Sequence, residues 1–191
     1  MEEITPLHGS YIYADEVLIV EETYLHFADS TTSICDISRE YILKNGKIEL
    51  NVTYYFPKDA YLYLSYTCML PLPAGMAKTS ELYLENKSAQ VIDFSNANIT
   101  GSSTTIHSGY PANVVEFNGI TKNGNDFSIT TEVYTLKDSC DNFNSNFKTA
   151  IYNLESAGIK LYFGKYDEFE KVAIPKGTQW HTKSSWTLNV E

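Results

Sequence analysis

Arginine is nearly missing from this sequence. Arg39 is the only one among 14 basic residues, against 24 acidic ones, for a formal net charge of −10. A phosphodiester backbone or an anionic membrane surface needs a clustered basic patch, and scattered lysines do not supply one, so a nucleic-acid partner is excluded. Recognition of phosphate or carboxylate by guanidinium forks loses its usual tool as well. Neutral ligands stay open. Long apolar runs are also lacking: no stretch approaches the ~18 residues of a membrane-spanning helix, so no membrane insertion is expected. The start, Met1-Glu2-Glu3-Ile4-Thr5-Pro6, has neither the basic region nor the apolar run of a secretory leader. The chain closes on strand-like residues at Val190 and Glu191. We therefore expect residues 1–191 to form one domain cut from a longer chain, extracellular or phage-associated.

Cysteine is sparse. Cys35, Cys68 and Cys140 cannot all pair with one another and are too far apart for a zinc or redox pair. Four isolated histidines, His8, His26, His107 and His181, show no H-x-H or H-E-x-x-H spacing, so no metal or other cofactor is expected. The Asp138, Asp141, Asn142 and Asn144 cluster lacks the glycine and distal glutamate of an EF-hand loop and reads as a solvated turn. There is no G-x-S-x-G. His107 and Ser108 are adjacent, but neighbours on a strand point to opposite faces, which sets a nucleophile and its base apart. Carboxylates in short clusters remain, at Asp15, Glu16, Glu21, Glu22, Asp167, Glu168 and Glu170. They border strand ends, where charge keeps an edge soluble, although two acids across a cleft would suffice for a small glycosidase or epimerase.

Aromatics are plentiful. Fifteen Tyr and nine Phe, mostly beside Val, Ile and Thr, suit a pleated, half-buried surface and favour strands over helices. Asn45-Gly46 separates two alternating runs and predicts a two-residue type I′ hairpin. After it Ile48, Leu50, Val52, Tyr54 and Phe56 share one face, and Glu49, Asn51, Thr53 and Tyr55 the other. Pro57-Lys58-Asp59 supplies turn chemistry, and the run from Ala60 to Leu70 alternates again, which predicts a three-stranded meander. Further strands are expected at 81–85, 90–94, 104–107, 113–117, 127–136, 159–166, 171–174, 178–181 and 184–190. Phe147, Ile151 and Leu154 fall at helical spacing, so 147–156 is the one place for a short helix. About a dozen strands with turn signals every ~8–12 residues predict an all-β, antiparallel two-layer sandwich.

In that meander Tyr55 would face Tyr61, and Thr53 would face Tyr63, on the side away from the core. Exposed rings of this kind stack on the apolar face of a pyranose while the phenol bonds its hydroxyls. A second aromatic cluster, Trp180-His181 and Trp186, holds both tryptophans. With a bend at 182–184 the two rings need not share a face. Tyr55, Tyr61, Tyr63, Trp180, His181 and Trp186 are thus the candidate ligand-binding residues.

The run Ala173-Ile174-Pro175-Lys176-Gly177-Thr178-Gln179-Trp180, leading to Ser185-Trp186-Thr187-Leu188-Asn189-Val190, resembles the closing strands of galactose-mutarotase-like domains, where a Pro-Gly turn precedes two terminal strands. The resemblance implies a supersandwich. No position here matches the family's catalytic glutamate and histidines, so it implies a non-catalytic or truncated version. The expectation is an accessory module that contacts carbohydrate or a neighbouring catalytic domain. The rivals are a small carbohydrate-active enzyme using an acidic pair and a structural subunit of a surface or tail assembly.

Overall fold

The structure, a computed structural model, describes residues 15–62, 65–84, 87–94, 104–108, 112–134, 148–153, 158–166 and 171–191. These form an all-β, antiparallel, layered sandwich with no helix among the described residues. In chain order the strands are β1 (Glu16–Leu25), β2 (Cys35–Lys44), β3 (Lys47–Tyr55), β4 (Ala60–Leu62), β5 (Ser65–Leu72), β6 (Ala77–Leu84) and β7 (Lys87–Asp93). They continue with β8 (Thr104–Ser108), β9 (Val114–Ile120), β10 (Asp126–Tyr134), β11 (Lys148–Asn153), β12 (Ile159–Tyr166), β13 (Val172–Ile174) and β14 (Gln179–Val190). One layer is an eight-stranded sheet in the order β1-β2-β3-β14-β10-β9-β6-β7. Its inner face is covered by two smaller sheets, β5-β12-β11-β8 and the pair β13-β4.

The predicted hairpin is present: Asn45 and Gly46 take φ of +48° and +74°, the left-handed pair a type I′ turn demands, and β2 pairs with β3 from Lys44↔Lys47 onward. The meander beyond it is corrected. The Phe56 N–H donates to the Thr178 carbonyl at 2.9 Å and the Gly177 N–H to the Phe56 carbonyl at 2.7 Å, so the chain leaves the large sheet there. β4 crosses to the second layer and pairs with β13, while β14 takes the edge of β3. Leu62 then packs on one core while Cys68 and Leu70 join the other.

Two further expectations fail for identifiable reasons. The helix at 147–156 is replaced by β11, a central strand between β12 and β8 on which Thr149, Ala150 and Ile151 are all buried. A strand buried on both faces has no alternation to distinguish it from a helix segment, and the β-branched and aromatic residues decide for strand. The bend at 182–184 is also absent, because β14 runs unbroken from 179 to 190 along β3 and β10.

The interior divides in two. Phe117, Phe163, Leu82, Ile151, Leu161 and Val115 lead a core beneath the four-stranded sheet; Val52, Phe56, Ile174 and Trp180 lead a second beneath β13-β4. Trp186 packs on both. Each buried large side chain contributes ~1.5–3 kcal/mol.

Candidate functional site

Because β14 is continuous, its even-numbered residues share the inner face, and Trp180 and Trp186 point the same way. Trp180 sits in the core at 3% exposure, edge-on to Phe56 with ring centroids 4.9 Å apart. Trp186 is only partly buried and packs against both cores.

Beside Trp186, between the hairpin end of the large sheet and β5, opens a groove of about 630 Å³. Its floor is made of Leu43, Ile48, Trp186, Leu188 and Ile129 from four adjacent strands, its wall of Met69 and Leu70 on β5, and its rim of Asp15 and the hairpin residues 44–47. The size lies within the range of small-molecule sites, as does a mainly apolar lining with a few polar groups at the mouth. The rim ammoniums are engaged elsewhere: Lys44 pairs with Glu16 at 3.0 Å, and Lys47 pairs with Glu49 at 2.7 Å and donates to the Tyr134 hydroxyl at 3.2 Å. The hydrogen bond from Lys47 holds the Glu49 carboxyl below its ordinary value, and Glu49 in turn raises the Lys47 ammonium.

The remaining candidate residues separate from the groove. Tyr55 and His181 lie on the outer face of the large sheet, where Tyr55 pairs with Gln179 and Asp36, and Thr53 with His181 and Ser38. The expected Tyr55–Tyr61 and Thr53–Tyr63 pairings are thus replaced, because β3 and β4 belong to different sheets. Thr53 Oγ1 and His181 Nδ1 are 2.9 Å apart, which fixes the imidazole across the strand pair. Tyr61 stands on β4, 60% exposed, with the Lys171 ammonium 4.1 Å from its ring centroid and so occupying one face of the ring. Tyr63 lies outside the described residues, as do Asp167, Glu168, Glu170 and the cluster at 138–144.

Of the candidate acids among the described residues, Asp15, Glu16, Glu21 and Glu22, none is paired with another across strands. Glu16 is ion-paired to Lys44, and Glu21 lies 3.4 Å from the Arg39 guanidinium, which also donates to Thr23 Oγ1 at 2.8 Å. Glu22 is its neighbour on β1 and so projects to the opposite face. Asp15 alone of these acids lines the groove. Among the described residues no group of three His, Cys, Asp or Glu is placed to hold a metal ion. No helix of the described residues is long and apolar enough to cross a membrane.

Sequence reasoning missed the groove floor at Leu43 and Ile129 and the wall at Met69, since these come together only through the pairing of β14 with β3 and β10 and the stacking of β5 above it. It also missed β1, although Val17-Leu18-Ile19-Val20 carried a strand signal.

No protein-family model matches the chain, and no curated protein matches it. Solved structures do. The GH36 α-galactosidase AgaA from Geobacillus stearothermophilus aligns at a TM-score of 0.52 and 7% identity over 91% of this chain and 27% of that one. A second structure of that enzyme, in complex with 1-deoxygalactonojirimycin, aligns at 0.52 and 8% identity over 82% of this chain and 22% of its own. The Slr1438 protein from Synechocystis sp. PCC 6803 aligns at 0.50 and 9% identity over 94% of this chain and 64% of its own. The chain therefore spans less than two thirds of each of these proteins, and at such identities the likeness is one of fold.

Proposed function

We propose that this chain is a non-catalytic β-sandwich module of a carbohydrate-active protein, and that the Trp186 groove receives a sugar ring. The observation that carries the reading is an indole set in the floor of a groove of about 630 Å³, flanked by apolar side chains, with the Asp15 carboxylate and the Asn45 amide at the rim. An aromatic ring presents its face to the C–H side of a pyranose, and rim groups of this kind accept and donate to its hydroxyls. The fold shared with an α-galactosidase, of which this chain spans about a quarter, supports a modular role.

A glycan-array screen of the purified chain, repeated with Trp186→Phe and Ile48→Gln, tests the reading. Ile48 is 38% exposed on the groove floor, so its polar replacement disturbs the site with little cost to folding. Binding to neutral glycans that falls in both folded variants supports the proposal, and a chain that binds no glycan at all refutes it.

A second reading is favoured by the apolar character of the surface beside the groove. Val17, Ile19, Met69 and Leu188 are 37–49% exposed there, which suits packing against a neighbouring domain of the same protein. Co-expression with the flanking segments of a longer parent chain would show it as protection of Met69 from oxidation.

A further inference from the structure

The outer face of the large sheet carries a second aromatic surface, one strand row away from the Thr53–His181 contact. The register places Tyr24, Asp36, Tyr55 and Gln179 directly opposite one another across β1, β2, β3 and β14, so the four side chains stand in a single row on one face. Tyr24 is 55% exposed and Tyr55 42%. They are separated by two strand spacings, roughly 10 Å, about the span of two linked pyranose rings. Between them Asp36 holds a carboxylate oxygen, Oδ1, that is shielded from solvent and has no hydrogen-bond partner among the described residues. The next row adds Glu22, Ser38, Thr53 and His181, with the imidazole anchored at Thr53. The inner-face residues of these strands, Cys35, Ile37 and Val52, are buried in the core, so the row of tyrosines faces away from the sandwich interior and from the Trp186 groove.

We infer that this row is a platform for a neutral oligosaccharide of two or more pyranose units, with Tyr24 and Tyr55 each stacking on one ring and Asp36 and Gln179 binding the hydroxyls between and beside them. The inference rests on the carbohydrate reading of the module and adds to it a second, extended site and a ligand length. Charge selects the ligand class: Glu22, Asp36 and Glu40 share this face on a chain of net charge −10, which disfavours uronates and sulfated glycans. An oligosaccharide also offers hydroxyl donors to the unmet carboxylate oxygen, once a small side-chain rotation brings that oxygen to the surface.

The test is calorimetric titration of the whole chain with neutral oligosaccharides of one to four units, chosen from any family positive on the array, and with polygalacturonate as the anionic control. The variants are Tyr24→Ala, Tyr55→Ala, the matching Phe substitutions and Trp186→Phe, each checked for an unchanged melting temperature. The expected result is a large gain in affinity from one unit to two in the wild-type chain. Each Ala variant loses about tenfold and flattens that gain, each Phe variant retains most of it, and polygalacturonate does not bind. Binding that falls only with Trp186→Phe overturns the platform and leaves the module reading standing. Binding by no oligosaccharide overturns both.

Discussion

A thiol shut away from water is a weak acid, because the thiolate it would become loses its hydration. Burial pushes the Cys68 thiol up to about 12; burial, aided by the neighbouring Asp36 carboxylate, pushes Cys35 up to about 11. Both keep their protons in the folded chain at a pH where the unfolded chain, with thiols near 9.0, has lost them. The unfolded state then binds fewer protons, so the thiols' contribution is intact below pH 9 and drains as pH rises through their folded values. Urea midpoints at pH 8 and pH 10.5 should fall more for a Cys140→Ser chain than for the same chain with Cys35→Ala and Cys68→Ala. At pH 8 neither buried thiol should react with iodoacetamide until the chain is denatured. Gly158 poses a steric question at the same scale. Its φ is +115°, and a Cβ there would sit 2.0 Å from the Leu72 carbonyl oxygen, where β12 begins to pair with β5. Gly158→Ala should cost about 3 kcal/mol, read as a lower urea midpoint at unchanged slope.

At the scale of elements, strands were legible in the sequence wherever one face meets a core and the other meets solvent. The β2–β3 hairpin announces itself through Asn45-Gly46, and Ile48 to Phe56 alternates cleanly because Leu50, Val52 and Phe56 are covered and Glu49, Thr53 and Tyr55 are not. β12 was legible to the residue, 159–166. β11 was hidden because three successive residues are buried, and β1 because its apolar residues lie on both faces of a strand that ends the sheet among the described residues. Leu18 is 61% exposed and Val20 56% on the outer face, while Val17 and Ile19 are 37% and 42% exposed on the inner. An edge strand of this composition offers unpaired backbone groups and apolar side chains to another chain, and the usual protection is a lysine or a proline. Leu18→Lys with Val20→Lys should therefore lower concentration-dependent self-association of the purified chain, seen by analytical ultracentrifugation. The melting temperature should move little, since neither side chain contributes to a core. An unchanged association constant would locate the sticky surface elsewhere, at the Trp186 groove first.

Across the whole molecule, strand order is what local sequence could not convey. The chain's last strand lies in the middle of the large sheet, and nothing near Tyr54 indicates that its partner is Trp180. The candidate site inherits that difficulty: Trp186 was legible as a candidate, whereas its groove exists only because β14 joins the hairpin side of the sheet to β10 and β5 stands beside it as the wall. The same arrangement ties the two cores together. β14 contributes Trp180 to one and packs Trp186 on both, and the Ser184 hydroxyl bonds the Cys68 thiol of the other. If the cores unfold as one unit, damage to either must be felt equally at both. In a Trp186→Phe background Trp180 is the single indole and reports the Phe56 side, while far-UV circular dichroism follows all strands. Leu161, fully buried in the other core, provides the perturbation: Leu161→Ala should lower stability by about 2–5 kcal/mol. The Trp180 fluorescence midpoint and the circular dichroism midpoint should shift together by that amount and remain superimposable. A fluorescence midpoint that stays in place while the dichroism curve splits would mean that the β13-β4 side folds on its own and that β14 is a shared border between two independent cores.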